Sequence, residues 1–207
     1  MHNNEKRRLL HRLIATLNQF LPMLFWVTLI LGFEEPTAAG LTVLAAIIHE
    51  GGHILFLKIK RIRGDWRGVI SGMRIKSGDI MTYGEEIMLY AAGPLANLVT
   101  AAIAMPFGSD AALMLGMLNL ATAFSNLLPV EGYDGYGILR VLAEGHDCSG
   151  RLGVALKCIS SATVLLFTVF SVYLIDRFGC GYWIFGIFFF SLMGKLNEWL
   201  KNTKFEN

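Results

Sequence analysis

Charge is what this chain has least of. Asp, Glu, Lys and Arg together make up 16% of 207 residues, against roughly 25% in ordinary soluble domains. With hydrophobic residues at 54% gathered into long blocks, an ordinary water-soluble core is excluded. Cysteine is equally sparse: Cys148, Cys158 and Cys180 show no C-x-x-C spacing, which removes zinc ribbons and redox pairs, and free thiols are expected. No fixed-period repeat, low-complexity tract or soluble-domain-sized insertion interrupts the chain, so residues 1–207 read as one membrane domain.

What is present is a series of apolar blocks near the roughly 20 residues needed to cross a bilayer core. Six are predicted, at about 13–33, 37–58, 84–105, 110–128, 157–175 and 181–194, the fourth being the weakest by length. The fold class is therefore an all-α polytopic membrane protein. A basic segment precedes the first block, but the block is too long for a secretory h-region and no small-x-small cleavage site follows closely, so a permanent anchor is expected. Threading from an internal N-terminus places every Lys and Arg except Arg177 on the inner side. By the positive-inside rule both termini are cytoplasmic. The formal net charge of +2 thus reads as topology, and no direct nucleic-acid partner is expected.

Within the second block lies His49-Glu50-Gly51-Gly52-His53. On a helix, residues four apart project from one face, so both imidazoles can reach one Zn²⁺, while Glu50 is placed to take a proton from water. Ionisable side chains inside a span are costly, and three within five residues imply a function that offsets the cost. A third ligand is needed. His2 and His11 lie in the basic N-terminal segment, and His146 is expected in a solvated loop. Asp134 lies just past the cytoplasmic end of the fourth block, at the membrane depth of the histidine pair. Two imidazoles and a carboxylate leave a fourth position open, as catalytic zinc sites do.

Three elements in this order, His49-Glu-Gly-Gly-His53, Ala92-Gly-Pro-Leu-Ala-Asn97 and Asn126-Leu-Leu-Pro129 followed by Asp134-Gly135, resemble the site-2 proteases, intramembrane zinc metalloproteases. The resemblance covers about residues 37–140, a three-helix catalytic core, and in its compact layout the chain is most similar to sporulation-type members. It implies one Zn²⁺ per chain held by His49, His53 and Asp134, with Glu50 as general base. Asn97 and Asn126 would be polar helpers or substrate-binding groups. Where relatives often carry prolines before the Asp-Gly step, this chain has Glu131 and Gly132, although the spacing from Asn126 to Asp134 is kept. Glu131 is expected to be a solvated loop residue.

The resemblance further implies an endopeptidase that cuts membrane-spanning protein substrates near their cytoplasmic ends and releases a regulatory fragment, such as a membrane-tethered regulator of transcription. The expected setting is a bacterial cytoplasmic membrane, with the lipid bilayer and a regulatory membrane protein as partners. Residues 61–83 are too polar to span. Partial alternation at 69–76 fits a short membrane-associated β segment within about 64–80, or else a solvated basic loop. Two other readings are a catalytically silent scaffold, which would not need Glu50, and a zinc or ion transporter, which would be expected to show paired broken helices. No such pairing is seen in this sequence.

Overall fold

A computed structural model of the chain describes residues 36–62, 81–146 and 150–179 and part of 184–195. The expected first span at 13–33 and the β segment at 64–80 lie outside the described residues. Among the described residues all regular structure is helical: α1 (Pro36–Lys60), α2 (Tyr83–Ala104) with a 3₁₀ turn (Met105–Phe107), α3 (Asp110–Asn126), α4 (Asp134–His146) and α5 (Arg151–Phe178). A further apolar helix runs through Ile184–Met193.

Local chemistry sets the helix ends. Pro36, whose fixed φ suits a first helical residue, opens α1. Its other end closes when Arg61 turns left-handed at φ 55°. Ile62 N–H then donates to the Leu57 carbonyl at 3.0 Å and Arg61 N–H to that of Lys58 at 3.2 Å, the paired bonds of a Schellman motif. A capping box starts α2: Thr82 N–H donates to Glu85 Oε2 at 3.1 Å, and Glu85 N–H donates to Thr82 Oγ1 at 3.3 Å. Ser109 caps α3 by accepting from Ala112 N–H at 3.3 Å.

Helices α1, α2 (continued by the 3₁₀ turn) and α5 are long and apolar enough to cross a membrane, while α3, at 17 residues, falls just short. The fifth helix begins at Arg151, earlier than the expected 157, because Gly150 supplies a left-handed start at φ 73°. A larger difference lies at 134–146. Read from sequence as a cytoplasmic connection, with Glu144 to His146 in a loop, this stretch is the amphipathic helix α4.

Helix α2 is the hub, packing against α1, α3 and α4, while α3 also meets α1 and α5 touches α4. Close approach depends on small residues. A Cβ built on Gly52 of α1 would come within 2.8 Å of Ala96 Cβ on α2, so the two backbones are nearly in contact. Large side chains turned outward are apolar, among them Ile47, Leu55, Val99, Ile103, Met117, Leu166 and Val169. That is the surface a hydrocarbon environment requires.

Candidate metal centre

The buried stripe of α1 consists of Ala39, Ala45, His49, His53 and Leu57, so the two histidines continue a helix face of period four into the protein interior. Each is 5% exposed. Opposite them α2 presents Leu89, Gly93, Pro94 and Asn97, all buried. Gly93 is the reason the rings fit. A Cβ there would lie 2.7 Å from His53 Cε1 and 2.8 Å from His49 Cε1, inside any normal carbon contact.

Each ring is held by its far nitrogen. His53 Nδ1 lies 2.8 Å from the Leu89 carbonyl oxygen. A carbonyl only accepts, so Nδ1 carries the proton and Nε2 of the neutral ring carries a lone pair. His49 Nδ1 meets Asn97 Oδ1 at 2.8 Å, with the same consequence for its Nε2.

The third group arrives on α4. After α3 ends, residues 127–133 turn through Gly132 at φ 96°, and Glu131 N–H donates to the buried Ser160 Oγ of α5 at 2.9 Å. Gly135 backs onto the Leu127 backbone, and Gly137 backs onto the ring of Tyr90 on α2. Arg140 reaches from α4 to Glu86 Oε1 at 3.1 Å and Tyr90 Oη at 3.2 Å. These contacts pin the first turn of α4 so that Asp134 faces the imidazoles. Tyr133, half-buried beside it, has its phenol pushed up to about 12 by desolvation and stays neutral.

Asp134 Oδ2 lies 3.0 Å from His49 Nε2 and 3.4 Å from His53 Nε2, and the two Nε2 atoms are 3.3 Å apart. With both Nδ1 protons committed elsewhere, the neutral rings offer no donor here, and Asp134 Oδ2 is buried without a hydrogen-bond partner. Three lone-pair atoms crowded together would repel one another unless a cation sat among them. A tetrahedral zinc with bonds of about 2.0–2.2 Å spaces its ligand atoms about 3.3–3.6 Å apart. Two sides of the observed triangle, 3.3 and 3.4 Å, fall in that range, and the third, 3.0 Å, is shorter. The residues present therefore fit the metal, and His49, His53 and Asp134 form a group among the described residues that could hold an ion.

The other expected site residues fall differently. Glu50 follows His49 on α1 and is half-buried at the edge of the cluster. Asn97 is fully buried, so it meets a histidine ring and offers nothing to a substrate at the surface. Asn126, the last residue of α3, turns its Nδ2 back to the Thr122 carbonyl at 2.9 Å. Glu131 is exposed and pairs with Lys195 at 3.1 Å, outside the cluster. Two contributions escaped the sequence reading. Gly93 lies directly against the two histidine rings. Asn119, read as packing, is fully buried and bonded to Asn97. The only sequence signal for it was an amide inside an apolar span.

No protein-family model matches the sequence, and no curated protein matches it. Among solved structures, it is similar to the site-2 protease from Methanocaldococcus jannaschii. The TM-score is 0.62 and the identity 18%, over 84% of this chain and 86% of that one. Similarity at this level is one of architecture: the described residues are helical in all their regular structure, and the chain has the fold of a site-2 protease.

Proposed function

We propose that this protein is a zinc-dependent intramembrane endopeptidase. The observation that carries the reading is the triangle of His49 Nε2, His53 Nε2 and Asp134 Oδ2, with sides of 3.0, 3.3 and 3.4 Å, beside the carboxylate-bearing Glu50. Zn²⁺ held there would supply Lewis acidity toward a peptide carbonyl and lower the pKa of a water to about 7. The remaining work belongs to the chain. Glu50 accepts the water's proton and returns it to the departing amide nitrogen, so that the C–N bond breaks to a carboxylate and an amine. Asn97 and the Leu89 carbonyl hold the two rings so that their Nε2 atoms stay bare. The tight seat at Gly93 prevents either ring from rotating.

Substrate class follows from where the site lies. A peptide bond within a membrane helix is already hydrogen-bonded internally, so the substrate must unwind before it is cut. Single-span proteins with helix-breaking residues near the cytoplasmic end are the natural class. With the termini inside, as the charge distribution argues, the released fragment is cytosolic and a membrane-tethered regulator is the fitting cargo. The test uses the purified full chain with zinc and a single-span substrate carrying Gly or Pro near its cytoplasmic end. Cleavage by the wild type, lost in Glu50→Gln while zinc stays bound, is the expected result. No cleavage by zinc-loaded protein, or equal cleavage by Glu50→Gln, overturns the reading.

A further inference from the structure

His53 and His49 are held in the same tautomer by different means. The Leu89 carbonyl facing His53 can only accept. The Asn97 amide facing His49 could in principle rotate by half a turn and present its NH₂ group instead. That would move the ring proton to Nε2 and point it into the centre of the cluster, where a metal could no longer bind. Something must therefore fix the direction of the Asn97 amide.

Its Nδ2 donates to two acceptors at once: the Ala45 carbonyl of α1 at 2.9 Å and Asn119 Oδ1 of α3 at 2.7 Å. Rotation would set the Asn97 oxygen against both. Ala45 cannot change role. Asn119 is in turn fixed by its own Nδ2, which donates to the Leu115 carbonyl at 2.9 Å. Hydrogen-bond direction is thus set at backbone carbonyls and passed from α3 through Asn119 and Asn97 to His49. Both asparagines are fully buried, so water cannot substitute for either acceptor.

We infer that Asn119, remote from the cluster and on a different helix, is a positioning residue that sets the tautomer of His49 and thereby keeps the metal site open. This rests on the metal-site reading of the proposed function, yet it can be tested without any peptide cleavage. In metal-free full-length protein, ¹⁵N shifts of the histidine rings should show both with protonated Nδ1 and bare Nε2. Asn119→Leu should scramble the His49 tautomer, leave His53 unchanged, and weaken zinc binding about 10- to 100-fold, the usual cost of losing an outer partner of a ligand. Asn119→Asp should restore both readouts, because its carbonyl oxygen accepts from Asn97 whether the group is ionised or neutral.

A wild-type His49 with protonated Nε2, or Asn119→Leu with unchanged tautomer and zinc affinity, overturns the inference while leaving the protease reading intact. Failure of the wild type to bind zinc at all sinks the protease reading instead. If Asn119→Leu does not fold, the wild-type shifts and the Asn119→Asp comparison still decide: a His49 ring disturbed in Asn119→Asp would count against the relay.

Discussion

Replacing Gly93 by alanine adds one methyl group at the most crowded point of the molecule. Its Cβ would stand 2.7 Å from His53 Cε1 and 2.8 Å from His49 Cε1. Carbon atoms rest about 3.5–4.0 Å apart, so the rings or the α2 backbone must retreat by about 0.7–1.3 Å. A ligand set tolerates about 0.5 Å of misplacement. The retreat therefore spoils the triangle, and zinc affinity should fall about 10- to 100-fold, equivalent to about 1.4–2.7 kcal/mol. Fold stability should drop by about 1–3 kcal/mol from overpacking. Competition titration against a chromophoric chelator reads the first quantity, and thermal unfolding of metal-free protein reads the second. Gly51→Ala is the matched control. It lies in α1 between the two histidines but meets nothing within 4 Å, so it should keep its zinc affinity and gain up to about 1 kcal/mol from helix propensity. Gly93→Ala binding zinc like the wild type would refute the claim that this glycine seats the ligand rings.

Four other outcomes are expected. Asp134→Asn should bind zinc far more weakly than Gly51→Ala at equal folding, because the one anionic ligand is gone; isothermal titration checks this. Gly137→Ala, whose Cβ would meet the Tyr90 ring at 2.6 Å from Cδ1, should lever α4 away from α2. Unlike a purely local defect, it should cost metal affinity as well as about 1–3 kcal/mol of stability. Arg61→Gly should raise stability by about 1 kcal/mol in a thermal scan, since it relieves a side chain at φ 55° without touching the Schellman bonds. Acidification should weaken zinc binding, because each ring must be neutral to offer Nε2 and protons compete with the metal for that lone pair; a pH series of the same titration checks the sign.

The histidine pair and its acidic third partner were legible in the sequence because the chemistry is periodic. Four residues make one helical turn, and ionised groups inside apolar blocks stand out at once. Helix α4 was not legible as a helix. Its short 134–146 stretch mixes charged residues with glycine, and the glycines that look like breakers are there to let it press against Leu127 and Tyr90. The roles of Gly93 and Asn119 were out of reach for a different reason. Each depends on the register between two helices, which no local pattern encodes. Asn126 shows the converse: the resemblance implied a polar helper there, yet an asparagine at a helix end finds a carbonyl of its own last turn with its Nδ2.

Asp134 is carried by the opening residue of a short helix that follows three longer ones in chain order. During synthesis, α1 enters the bilayer with its histidines long before the ribosome has reached that aspartate. A half-made protein can thus offer an ion only two of its three anchors, and its grip is correspondingly poor. The order of translation itself therefore delays the cluster, which is complete only once this last residue has been delivered to the waiting histidines.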